Sequence, residues 1–157
     1  MSDATPIPAR LTEAIADFDF VDRSLRAEML IEYADRFVEV APAIATRPFP
    51  ELARAPRCES EAFVFPVDRP DGTLEFHFAV ENPQGLSAKA WAVLLADTCS
   101  GAPLEQVAAI PQDVMFRVFG RDLSMGKGQG LIGMLELVQH ACRERLTAAR
   151  MRREGLA

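Results

Sequence analysis

The chain has 157 residues and a mass of 17.3 kDa, the size of one ordinary domain that buries roughly 70% of its unfolded surface. Its 49% apolar and 25% charged residues lie far from the composition of disordered chains. A net charge of −6 supplies no positive field for a phosphate backbone or an anionic membrane, so neither nucleic acid nor membrane is expected as a partner. The opening Met1-Ser2-Asp3-Ala4-Thr5-Pro6 carries no basic, apolar leader, and no apolar run approaches the roughly 18 residues of a membrane span. A soluble, cytoplasmic protein is expected.

Residues 1–9 read as a flexible arm marked by prolines. Arg10 to Phe18 and then Asp22 to Ala41 read as helices. In the second, Leu25, Met29, Leu30, Tyr33, Ala34, Phe37, Val38 and Ala41 recur at steps of three and four, Asp22 is the expected N-cap and Pro42 the stop. The charges on its other face read as solvated. Pro42, Pro48, Pro50 and Pro56 break the next stretch, leaving room for one short helix at Pro50 to Ala55. Ala62 to Val67 and Thr73 to Glu81 flank Arg69-Pro70-Asp71-Gly72, and Leu74, Phe76, Phe78 and Val80 alternate strictly. This predicts a β-hairpin closed by a type I turn, with Pro66 on a free edge.

Ala88 to Ala96 is apolar nearly all round, as expected of a helix laid across the hairpin and covered by its neighbours. Leu104 to Ala109 and Gln112 to Phe119 read as short helices. A long last helix is expected from Gly128 to about Arg153, with Leu131, Leu135, Val138, Cys142 and Leu146 on one stripe and Gly155 beyond it. Residues 150–157 read as a frayed tail. The fold class is therefore α+β, one domain in which several helices pack a small antiparallel sheet built on a hairpin.

Cys58, Cys99 and Cys142 are odd in number and lack CxxC spacing, which fits neither a disulfide framework nor a metal ligand set. Cys142 falls on an apolar stripe and Cys99 at a helix end, both as passive filler. Cys58 differs, because Arg57, Glu59, Ser60 and Glu61 make its surroundings a polar loop. The thiolate is the attacking form; Arg57 favours it, and Glu59 and Glu61 oppose it. His77, on the polar side of the second strand, and His140, on the polar side of the last helix, are the only histidines, and neither sits in a motif for a thiol hydrolase. Chemistry at Cys58 without a base is better suited to sulfur or disulfide exchange. Gly120 to Gly128 resembles a phosphate-binding loop, but five residues separate Gly120 from Gly126 and Gly128 stands at the magnesium-binding position. The glycines at 126, 128 and 130 are read instead as a flexible turn opening a helix, with Lys127 on its surface; such a helix start can hold an anion, a thiolate or persulfide included.

Four blocks in order then become familiar. Cys58-Glu59-Ser60-Glu61-Ala62-Phe63, Lys89 to Leu95, Gly101 to Val107 and Ser124 to Met134 together resemble the SufE family of sulfur-acceptor proteins in iron-sulfur cluster assembly. They span most of the chain, from about Asp22 to Arg145. The family usually has Gly or Glu where Arg57 stands, Gln at Glu59, Gly at Ala90 and Arg at Lys127, so the resemblance is to a divergent member. It implies that Cys58 accepts persulfide sulfur from a cysteine desulfurase, stimulates that enzyme and passes the sulfur on, with an iron-sulfur scaffold complex as a further partner. It also implies that pyridoxal phosphate belongs to the desulfurase, that this chain binds no cofactor or metal, and that it is a carrier rather than an enzyme. Arg57, Glu59, Ser60 and Lys127 are the expected partner-binding residues. The Cys58 loop is expected to alternate between a tucked state and one extended into the partner. Two other readings stand beside this one, an adaptor that docks without relaying sulfur and a stand-alone thiol enzyme.

Overall fold

The computed structural model describes residues 4–156. Six α-helices surround one hairpin: α1 Ala9–Asp19, α2 Arg23–Asp35, β1 Ala62–Asp68, β2 Leu74–Val80, α3 Leu86–Cys99, α4 Leu104–Ala108, α5 Val114–Phe119 and α6 Met125–Arg153. The α+β expectation holds. β1 and β2 pair antiparallel in the register Ala62↔Val80 to Asp68↔Leu74, and Gly72 N–H closes the turn on the Arg69 carbonyl at 3.0 Å. The alternating Leu74, Phe76, Phe78 and Val80 face the main core with Val64, where α3 crosses the sheet and also packs on α1, α2 and α6. Trp91 lies at the centre of this core. Its indole N–H donates to the Leu131 carbonyl at 2.9 Å, and its ring stands edge-on to Phe119.

Asp22 caps α2 as expected, accepting the Leu25 N–H at 2.8 Å. The helix nevertheless stops at Asp35 rather than Ala41. Residues 37–41 leave it as irregular chain, and Val40 N–H donates to the Phe78 carbonyl on the outer edge of β2 at 2.8 Å. Val40, β-branched and beside an open strand edge, gains more from pairing and burial there than from another helical turn, while Val38 stays exposed. Val40 then joins Phe63, Phe65 and Ala79 in a second apolar cluster, with Phe49 ring centroids 5.2 and 5.3 Å from those of Phe63 and Phe65. The sheet is thus covered on both faces at this end, where the alternation in β2 alone predicts a single apolar face. The short helix expected at Pro50 to Ala55 is a 3-10 turn at Glu51–Ala53.

At the other end of the chain α6 begins three residues earlier than the predicted Gly128, because Ser124 caps it by accepting the Lys127 N–H at 3.3 Å. It runs through Arg153, so the first four residues of the expected frayed tail are helical. Of the expected N-terminal arm, residues 1–3 lie outside the described residues, residues 4–8 form no regular element and Ala9 is already in α1. No helix among the described residues is long and apolar enough to cross a membrane.

Candidate functional site

The segment carrying Cys58 is a loop pinched at its base. Ala55 N–H donates to the Ala62 carbonyl at 2.8 Å, and Arg54 bridges Phe63, so residues 56–61 leave and return at one point of the β1 edge. Glu61 N–H turns back to the Cys58 carbonyl at 3.1 Å, while Asn82 N–H holds the Ser60 carbonyl at 3.1 Å. Both ends of this turn are strained: Arg57 (φ 59°) and Glu61 (φ 51°) lie in the left-handed region, which costs an L-residue roughly 1–2 kcal/mol. Glycine at both positions removes that cost. The Arg57→Gly/Glu61→Gly protein is expected to hold its loop more firmly, with Cys58 alkylated by a polymer-linked maleimide, too bulky to reach the tucked thiol, about three- to tenfold more slowly than in the wild type. Faster alkylation in the double variant would show that the two backbones are not under strain.

The loop lies against a bare face of α6. Gly126, Gly130 and Gly133 follow at steps of four and three, which puts them on one side of the helix. A β-carbon would stand 3.1 Å from Glu59 Oε1 at Gly126, 3.1 Å from Cys58 Cα and 3.3 Å from its Sγ at Gly130, and 2.4 Å from the Pro56 carbonyl oxygen at Gly133. From the opposite side Gly85, at the start of α3, admits Ser60 just as closely, at 3.1 Å. Cys58 is consequently only 9% exposed, although its neighbours are polar. The reading of the glycines at 126, 128 and 130 as a flexible turn is corrected: all three lie inside α6, where Gly126 and Gly130 join Gly133 as the seat of the Cys58 loop and Gly128 faces Met115 and Leu123 instead. Their spacing in the sequence was the available signal.

The other expected site residues divide. Glu59, Ser60 and Lys127 line a cleft with Cys58, together with Asn82, Gln84 and the first turn of α3. Arg57 turns away, its guanidinium 3.5 Å from Glu136 on α6. Neither histidine lines the cleft. His140 Nε2 is 2.7 Å from Glu144, one turn on. His77 Nε2 lies 2.6 Å from Glu75 Oε1 but out of line for a hydrogen bond, and is buried there. Nothing in the cleft resembles a nucleophile and base pair. Asn82, Gln84, Gly85 and Ser87 were missed in the sequence, since only folding brings the start of α3 beside residues 58–60.

Cys99 and Cys142 are buried in the main core. Burial pushes both thiols up to about 12, against a weaker downward pull from Thr98 on Cys99 and from Arg145 on Cys142. They stay protonated and out of reach at neutral pH, where only thiolates react. A thiol titration of the native protein is expected to count one reactive cysteine, lost in Cys58→Ser, and three after denaturation. Two or more reacting in the native state would contradict this packing.

The family described as SufE, an Fe-S metabolism associated domain, matches residues 12–142. The chain belongs to the SufE family. A solved structure with the same fold is the solution structure of a hypothetical protein from Thermus thermophilus, at 26% identity and a TM-score of 0.68, covering 90% of this chain and 98% of that one. No curated protein matches the chain. SufE membership associates the chain with iron-sulfur metabolism, and the matched span takes in the Cys58 loop, both helix starts around it and the hairpin that anchors it.

Proposed function

We propose that this SufE-family protein is a sulfur carrier whose Cys58 takes persulfide sulfur from a pyridoxal-phosphate-dependent cysteine desulfurase, stimulates that enzyme and delivers the sulfur toward iron-sulfur cluster assembly in the cytoplasm. The observation that carries the reading is a single accessible-by-opening thiol, held on a pinched and strained loop, in a chain whose other two thiols are locked in the core. The cofactor chemistry that frees sulfur from cysteine belongs to the desulfurase. Cys58 contributes one step. Its thiolate attacks the outer sulfur of the donor persulfide, a new S–S bond forms, the old one breaks, and the donor thiolate leaves with the electron pair. No base in this chain is needed beyond what removes one thiol proton to solvent.

Reaching into a donor site requires the loop to leave α6. Its base stays fixed by the Ala55–Ala62 hydrogen bond. The left-handed residues at 57 and 61 relax on opening, which offsets part of the packing energy that the glycine face provides. Glu59, Ser60 and Lys127, around the mouth of the cleft, are the residues that meet the partner, and an iron-sulfur scaffold complex is the later recipient. Alanine formation by the desulfurase tests the reading: wild-type protein is expected to raise it, while Cys58→Ser still co-purifies with the desulfurase and gives no increase. Equal stimulation by Cys58→Ser would mean an adaptor that relays nothing.

A further inference from the structure

Tucking the loop does not seal the thiol. Cys58 lies in the wall of a half-open cleft of about 350 Å³, within the size of clefts that take small molecules. Two helix starts meet there, Gly85 with the first turn of α3 and residues 126–127 of α6. Gly85 gives α3 no side-chain cap, so the first-turn N–H groups at Ser87 and Ala88 lack the partner a cap would supply. The thiol is nine-tenths buried and takes no hydrogen bond among the described residues.

The charges of the cleft are one of each sign. Arg57 and Glu61 are engaged outside it, with Glu136 and Arg54, whereas Glu59 and Lys127 line it and enter no ion pair among the described residues. Glu59 follows the buried sulfur directly in the chain, with its carboxylate on the bare surface of Gly126. One anion, one cation beside an uncapped helix start, and one sulfur match a zwitterionic amino acid that carries a thiol. Its carboxylate meets Lys127 and the α3 N–H groups, its ammonium meets Glu59, and its sulfur meets Cys58.

The geometry points to a second exchange at Cys58, with free cysteine or a closely related α-amino thiol as co-substrate; it rests on the persulfide reading above and names a small-molecule recipient for it. The thiolate of the amino acid attacks the outer sulfur of the Cys58 persulfide. A bond forms between those two sulfurs, the bond to Cys58 breaks, and the Cys58 thiolate departs with the electron pair. The transferred sulfur keeps its oxidation state, so the step consumes neither oxidant nor reductant, and its products are an amino-acid persulfide and free Cys58. Protein-sized thiols are excluded while the loop is tucked, and the small thiol is admitted.

The test reads recognition without a desulfurase. Reduced protein is mixed separately with cystine, cystamine (no carboxylate) and diacetylcystine (no ammonium), and mixed-disulfide formation on Cys58 is followed by intact mass. Each rate is divided by that of a short peptide spanning residues 56–62, which removes the intrinsic reactivity of each disulfide. Cystine is expected to be favoured at least tenfold over both analogues. Lys127→Met should abolish the preference over cystamine, and Glu59→Gln the preference over diacetylcystine, with both exposed positions leaving the melting temperature unchanged. Equal normalised rates, or loss of only one preference in the wild type, would overturn the zwitterion assignment. Such a failure leaves desulfurase loading of Cys58 standing, and a failure of that loading leaves this selectivity standing.

Discussion

Alanine at position 133 is expected to unseat the Cys58 loop. Its β-carbon would stand 2.4 Å from the Pro56 carbonyl oxygen, inside contact distance of a backbone atom that no rotamer change can move. The overlap is relieved by lifting the loop off α6 or by bending a helix whose other side is fixed in the core by Met134, Leu135 and Val138. The loop gives way, since overpacking costs about 1–3 kcal/mol and the loop adds little to the core, while alanine improves the helix itself by about 1 kcal/mol. Gly133→Ala should therefore keep the wild-type melting temperature within a few degrees and raise the rate at which the polymer-linked maleimide alkylates Cys58 at least tenfold. An unchanged rate at unchanged stability would mean that the glycine face does not hold the loop. The variant also separates shielding from relay, because a persulfide on the lifted loop should be lost to reductant faster than on the tucked one.

Removing the Trp91 side chain acts on the opposite side of the cleft. Trp91 is fully buried, packs on Phe119, and ties α3 to α6 by its bond to the Leu131 carbonyl, one residue beyond the glycine that receives Cys58. Trp91→Ala is expected to cost about 3–5 kcal/mol, a large part of the roughly 5–15 kcal/mol that holds a domain of this size together. At roughly 2–4 °C per kcal/mol, the melting temperature should fall by about 6–20 °C. A fall under about 3 °C would show that the core centre lies elsewhere. Trp91→Phe, which drops the hydrogen bond and part of the ring volume, should lose less than Trp91→Ala, about 1–3 kcal/mol.

Much of this fold is written in local pattern. Strict alternation in Leu74 to Val80 gives the hairpin face, Asp22 the start of α2, and the stripe from Leu131 to Cys142 the buried side of α6. Cys58 stands out because charged and polar neighbours place it on a loop, whereas Cys142 falls on an apolar helical stripe and Cys99 at a helix end. What local pattern does not carry is competition between distant segments. Phe37, Val38 and Ala41 fit the helical stripe, yet the bond of Val40 to the open edge of β2 draws this stretch out of the helix. Phe63 and Phe65 point away from the main core, and only the return of residues 40–53 covers them. The seat of Cys58 is of the same kind. Gly126, Gly130 and Gly133 are visible in sequence, yet their purpose depends on Pro56 to Glu59 lying over them, a meeting made across about seventy positions of chain.

The central claim is that Cys58 carries sulfur, and the most direct measurement is the mass of the protein after incubation with the host's cysteine desulfurase, pyridoxal phosphate and cysteine, with the modified residue mapped without reductant. One added sulfur atom on Cys58, absent from Cys58→Ser and never found on Cys99 or Cys142, is the predicted result. An unmodified Cys58 beside an active desulfurase, or sulfur found on another residue, would contradict it.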